Sequence, residues 1–142
     1  MRISAKIDYA CRALLELSLH WPNKVPLQIN TIGQSQQIPI KFLTQIMLQL
    51  KQIGLVQSVR GKKGGYLLST APQKIRLSRI IEGMGGIGYS VTENKNHNGG
   101  GHIMDGIWNE MDQAVLKAMA GINFETICDR KREQDKAFIF QI

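Results

Sequence analysis

Apolar residues return at helical spacing over the first stretch of the chain. Between Ala5 and Leu19, Tyr9, Ala13, Leu14 and Leu17, with Ile7 before them, line one side, while Asp8, Arg12 and Glu16 interrupt the pattern. This predicts an amphipathic helix. Pro22, Asn23 and Pro26 end it, because proline lacks the amide that a helix interior needs. Gln28 to Gln36 is long enough for a short second helix with Ile29 and Ile32 inward, and Gln37 and Ile38 form the turn that follows. Pro39 suits the first turn of a third helix, about Ile40 to Ile53. Its periodicity puts Phe42, Leu43, Ile46, Met47 and Leu50 on the buried side and Lys41, Thr44, Gln45, Gln49 and Lys51 on the other. Gly54 supplies a left-handed stop.

The period then changes. Leu55 to Val59 alternates as a strand does, Arg60-Gly61-Lys62-Lys63-Gly64-Gly65 is a turn, and Tyr66 to Ser69 is the return strand. Two short helices joined by a tight turn and followed by a basic hairpin predict a winged helix-turn-helix. Ile75 to Gly83 fits a short connecting helix with Leu77, Ile80 and Ile81 inside. Residues 83–101 contain seven glycines and three asparagines, the composition of a mobile loop. Beyond it, Ile103, Met104, Ile107, Trp108, Met111, Val115, Leu116 and Met119 form a broad apolar stripe. A small domain cannot cover such a stripe alone, so a helix from a second subunit is expected to cover it, with Ile107, Trp108, Met111 and Val115 at the interface. A short helix near Phe124 to Lys131 and a β-like tail, residues 137–142, complete the reading; that tail should be paired or packed. The expected class is mainly α with a small β-hairpin wing. It divides into a DNA-binding unit at 1–83, a flexible loop at 84–102, and a dimerisation helix with its tail at 103–142.

Charge sharpens this picture. The net charge is +7, but residues 1–81 hold twelve Lys/Arg against only Asp8 and Glu16, a balance of +10, whereas residues 82–142 hold six basic and nine acidic residues, a balance of −3. One half of the chain is built to meet a polyanion. Arg60, Lys62 and Lys63 sit within four residues at the hairpin tip, suited to phosphates or a narrow minor groove, with ordinary solvated hairpin charges as the plainer alternative. Glutamine can pair with adenine edges and threonine can touch a thymine methyl, so Thr44 and Gln45 suit base reading. A winged module that binds RNA or a protein partner is the competing reading. No apolar run is long enough to cross a bilayer, and the N-terminal stretch lacks the small-residue cleavage site of a signal peptide. Two cysteines, Cys11 and Cys128, are expected as free thiols in a reducing cytoplasm. No paired carboxylates, no nucleophile with a base and no phosphate-binding fingerprint point to an enzyme; the glycines at 83–88 follow no predicted strand and open no helix.

Several segments resemble one family. Met1-Arg2-Ile3-Ser4-Ala5-Lys6 with Tyr9-Ala10, then Phe42-Leu43-Thr44-Gln45 with Leu48 and Leu50, and above all Gly54-Leu55-Val56-Gln57-Ser58-Val59-Arg60-Gly61 with Gly64-Gly65-Tyr66-Leu67-Leu68, are similar to the winged-helix regulators that include IscR, NsrR and CymR. Ala137-Phe138-Ile139-Phe140 is similar to the CymR tail. The resemblance implies a DNA-binding dimer, most often a repressor, whose long helix crosses its mate. The third helix would enter the major groove and the wing the minor groove. It carries Lys41, Phe42, Thr44 and Gln45 to bases or phosphates and makes Arg60 the minor-groove probe.

The chain departs from the family where many members sense their signal. Their iron–sulfur cluster is held by three loop cysteines, and residues 89–103 contain none, so no cofactor of that kind is expected. Asp8 matches a position from which some members lend a carboxylate ligand across the dimer, which means little without its companions. His97 and His102, with Asp105 or Asp8, form a weaker set for a divalent metal, although histidines in a Gly/Asn loop are ordinarily solvated. Cys128, near Arg130, Lys131 and Arg132, is a candidate redox thiol, which requires exposure and a lowered pKa; Cys11 fits better as a small apolar packing residue. A regulatory protein partner is the remaining route, as the resemblance to the CymR branch implies.

Overall fold

The computed structural model describes residues 2–86 and 100–141. Among these residues six α-helices and one β-hairpin follow one another: α1 (Ala5–Leu19), α2 (Ile29–Gln36), α3 (Ile40–Gln52), β1 (Val56–Val59), β2 (Gly65–Leu68), a 3-10 turn (Pro72–Lys74), α4 (Leu77–Gly83), α5 (Gly101–Ala120) and α6 (Phe124–Phe140). Helix α1 starts where the Ser4 side chain accepts the Ile7 amide, satisfying one of the orphan donors of the first turn. Its stripe of Ile7, Ala10, Ala13, Leu14 and Leu17 meets Ile32 of α2 and Leu43, Ile46, Met47 and Leu50 of α3 in one core. Burial of each large aliphatic side chain there contributes about 1.5–3 kcal/mol.

The α2–α3 corner is tight for a reason in the sequence. Gln37 takes a left-handed conformation with φ 54°, and Gly33 is buried where a Cβ would lie 2.6 Å from Ile40 Cδ1 and 3.0 Å from the Ile38 carbonyl oxygen. Pro39 stands one position before α3 rather than inside its first turn, and its carbonyl accepts the Phe42 and Leu43 amides. Beyond α3 the antiparallel hairpin pairs Val56 with Leu68, Gln57 with Leu67, Ser58 with Tyr66 and Val59 with Gly65.

The C-terminal segment departs from the sequence reading in one respect and adds a contact that the reading did not foresee. The C-terminal segment is one helix to Phe140, not a short helix followed by a β-like tail. Ion pairs at helical spacing, Lys131 with Asp135 at 2.6 Å and Arg132 with Asp129 at 3.0 Å, favour its continuation past Lys131. The tail is not packed either: Phe138, Ile139 and Phe140 are exposed, Phe140 at 89%. Helix α6 also returns to the first part of the chain, where Phe124 is buried in the α1–α4 core and Cys128 is buried too. The Phe124 amide donates to the Ile75 carbonyl, and the Leu77 amide to the Ile122 carbonyl. The expected loop at 84–102 falls largely outside the described residues, which exclude 87–99.

Candidate nucleic-acid interface

Helix α3 separates its residues cleanly. Leu43, Ile46, Met47 and Leu50 are buried, whereas Lys41, Phe42, Thr44, Gln45 and Leu48 are exposed. Phe42 is 55% exposed, so periodicity alone misplaced it on the core side. It lies in the first turn of α3, across an open hollow from Lys6 and Tyr9 of α1, so the core does not enclose it. The Thr44 hydroxyl donates to the Ile40 carbonyl at 2.9 Å, which engages its one proton within the helix. Neither carboxylate of residues 1–81 lies on this face. Asp8 pairs with Arg12 at 3.2 Å on α1, and buried Glu16 accepts from Ser35 Oγ and Gln36 Nε2 of α2, both at 2.8 Å. Arg12 also donates to the Gln36 carbonyl and stacks over Tyr9. These contacts lock α2, and through it the helix-turn-helix, onto α1.

The wing is held to the helices at three points. Lys51 of α3 donates to Ser58 Oγ of β1 at 2.8 Å. Leu27, just before α2, exchanges both backbone hydrogen bonds with Tyr66 of β2, at 3.0 and 2.8 Å. Gln28 Nε2 donates to the Lys62 carbonyl at the tip, at 3.3 Å. Gly65, with φ 150°, permits the Leu27 contact, since a Cβ there would collide with the Leu27 carbonyl. Arg60, Lys62 and Lys63 all stand exposed. The expected α3 and wing residues are thus all exposed, on two elements that the Lys51–Ser58 bond joins. Sequence reasoning missed Lys6 and Tyr9, which with Phe42, Gln45, Ile46 and Gln49 border a hollow of about 360 Å³ between the start of α1 and α3. The cation at Lys6 was the available signal. It also missed Leu27, whose pairing leaves no mark in a one-dimensional pattern.

A family model described as Rrf2, iron-dependent transcriptional regulator, matches residues 3–130. The chain belongs to the Rrf2 family. A helix-turn-helix-type regulator of Synechocystis sp. is 36% identical over 81 residues, 57% of this chain and 54% of that protein. IscR of Aliivibrio salmonicida is 29% identical over 141 residues, 94% of this chain and 82% of that protein. Among solved structures, CymR, the global cysteine regulator of B. subtilis, superposes with a TM-score of 0.74 at 25% identity, covering 92% of this chain and 98% of that one. This Rrf2 protein is a DNA-binding transcriptional regulator of the winged helix-turn-helix type.

The remaining candidates of this Rrf2 chain fall on α5, α6 and the stretch between α4 and α5. Along α5, Ile103, Met104, Ile107 and Met111 are exposed and Trp108 is half-buried; Ile103 reaches 70%. Val115, expected at a dimer seam, packs half-buried against the chain's own core beside buried Met119. Cys128 has neither property that a reactive thiol needs. It is buried, and burial pushes its pKa up; Arg132 pulls it down, but Glu125 and Asp129 push it up again. Those acids also hold Arg132 in ion pairs at 3.4 and 3.0 Å, and Asp135 takes Lys131. The Cys11 thiol is pushed up to about 11, by burial first and by Asp8 second. A cluster needs several thiolates on one site, and the chain's two cysteines, on α1 and α6, are both held protonated. This donor set does not fit an iron–sulfur cluster. His97 lies outside the described residues, as does the side chain of His102. Among the described residues no three His, Cys, Asp or Glu converge on a metal position.

Proposed function

We propose that the protein acts as a homodimeric repressor in which α3 lies in the major groove and the wing tip, led by Arg60, lies along the adjacent minor groove. The observation that carries this is the exposure of Lys41, Thr44 and Gln45 on α3 and of Arg60, Lys62 and Lys63 on the wing bonded to it, with both carboxylates of residues 1–81 engaged on α1. Gln45 and Thr44 are the base readers, Phe42 offers an apolar contact, and Lys41, Lys62 and Lys63 neutralise phosphates. Lys51 on Ser58 and Gln28 on Lys62 keep helix and wing in one register, which supports reading both grooves at once. A second copy would cover the exposed α5 stripe. An apolar hollow of about 460 Å³ beside it, edged by Ile3, Ile7, Ile81, Val115, Met119 and Ile122, offers a seat for a partner's side chains. The division into a DNA-binding unit, a connecting loop and a dimerisation helix follows from these roles. Because the two cysteines do not suit a cluster, the signal is expected to reach the protein through another ligand or a protein partner.

The test is a salt titration of duplex binding followed by fluorescence anisotropy. The logarithm of affinity should fall linearly with the logarithm of salt concentration, and Lys62→Ala should lower the slope by about one. Salt-independent binding, or a slope unchanged in Lys62→Ala, contradicts the wing–phosphate assignment.

A further inference from the structure

A second cleft lies behind the wing, sharing no residue with α3 or α5. It is about 410 Å³ in volume and is formed by the end of α1, the turn at residues 20–25 and the base of the hairpin. Its floor is Leu17 and Leu68, both buried, and its walls are Leu27 and Leu67, half-buried. At its mouth Trp21 is 40% exposed and Val25 64%, an apolar lip that the fold leaves to water. The volume and lining suit a small organic ligand with a flat or branched apolar body.

The polar rim selects the sign of its charge. The titratable residues lining the cleft are His20 and Lys24, with no carboxylate among the lining residues. Glu16, the nearest acid in sequence on α1, is turned to Ser35 and Gln36 of α2. The negative pole of α1 is blunted, because the Leu17 and Ser18 carbonyls accept the His20 and Trp21 amides and the Glu16 carbonyl pairs with His20 Nδ1. That last bond makes Nδ1 the donor and leaves Nε2 of the neutral ring an acceptor, so among the lining residues Lys24 is the cation offered to an anion. Gln57 on β1 and Ser69 after β2 add neutral hydrogen-bonding groups.

The cleft is wired to the wing. Its wall residue Leu27 is the one that exchanges two backbone hydrogen bonds with Tyr66, and the next residue, Gln28, holds the Lys62 carbonyl at the wing tip. Its rim residue Gln57 pairs with its wall residue Leu67 across the hairpin. A ligand that fills the space between these elements must shift the 20–28 segment or stiffen it, and either change is delivered to the tip cations. We propose that this cleft is an effector site for a small carboxylate with an aromatic or branched apolar body, and that its occupancy resets the wing. The site itself stands independently of the DNA-binding reading; only the consequence for repression rests on it.

Two-dimensional NMR of the full chain tests this without DNA. The probes are phenylacetate, indole-3-acetate and 4-methyl-2-oxopentanoate, each paired with its neutral primary amide. The expected result is saturable, submillimolar shifting of the Trp21 indole N–H and the Leu27 amide by at least one carboxylate, propagated to Tyr66 and Lys62, with the Trp108 indole as a still reference. Lys24→Glu, an exposed change that spares the core, should weaken that binding by about tenfold or more, and Lys24→Arg should restore it. Absence of saturable shifts with every carboxylate, or equal binding of acid and amide, overturns the site. Shifts confined to the cleft, with Tyr66 and Lys62 unmoved, overturn the coupling. A protein that binds carboxylates this way yet fails to bind any duplex would contradict the earlier functional reading instead.

Discussion

Helices α3 and α5 are both amphipathic and both leave large side chains in water, but they leave different kinds. On α3 the exposed face mixes Lys41, Thr44, Gln45 and Lys51 with Ile40, Phe42 and Leu48, while the row Leu43, Ile46, Met47 and Leu50 is buried in the core shared with α1 and α2. On α5 the exposed residues include Ile103, Met104, Ile107 and Met111, and within the chain the principal neighbour is the short α4. An exposed face that carries cations, a glutamine and a threonine among its apolar side chains, on a helix whose other side is fully packed, offers groups for a polar ligand. An apolar exposed face is unfinished, and water is a poor substitute for the partner it lacks. The charge split follows the same line, since the basic excess lies in residues 1–81 and the acidic excess lies in 82–142.

Substitutions should therefore have separable consequences. Leu14→Ala, which empties a fully buried position between α1 and its neighbours, should cost about 2–5 kcal/mol in chemical denaturation. A loss well below that range would mean that the first half is not packed as a unit. The double change Ile107→Asp with Met111→Asp should leave far-ultraviolet circular dichroism intact yet weaken self-association at least roughly thirtyfold in sedimentation velocity. Unchanged association would erase the contrast by removing α5 from the interface. Arg60→Ala should weaken binding to the preferred duplex by about 1–3 kcal/mol without altering the oligomer.

A smaller effect concerns pH. The Cys11 thiol is raised from 9.0 to about 11 in the folded chain, so the stability that this group contributes is fully present below pH 9 and is lost as pH rises towards 11. Wild-type protein should lose about 1–2 kcal/mol more than Cys11→Ala across that window in urea titrations. Parallel pH profiles for the two would mean that the thiol is not held protonated by its packing on α1.

Much of this contrast was legible in the pattern of residues. Helix spacing gave α1 and α3, the run from Arg60 to Gly65 gave the wing, and the stripe after residue 101 marked α5 as unfinished. What escaped was set by contacts between residues far apart. Phe42 satisfies the helical period of the core, but it borders an open hollow at the start of α1 instead of entering the core. Glu16 reads as a surface acid until Ser35 and Gln36, on another helix, bury it. Cys128 reads as an activated thiol beside three cations until Glu125, Asp129 and Asp135 take up Arg132 and Lys131. Residues 137–140 read as a strand, because β-like composition was weighed without the charged pairs that carry the preceding helix into them.

The most direct measurement is selection of bound sequences from random duplexes at about 0.15 M salt, with wild-type protein and the Ile107→Asp, Met111→Asp variant in parallel. Wild-type protein should enrich an inverted repeat whose half-sites lie about one helical turn, or a multiple, apart, and the variant should lose that enrichment while keeping weak, salt-sensitive binding. No enriched sequence, or one asymmetric site recovered equally by both proteins, would contradict a dimer that reads DNA through α3 and the wing.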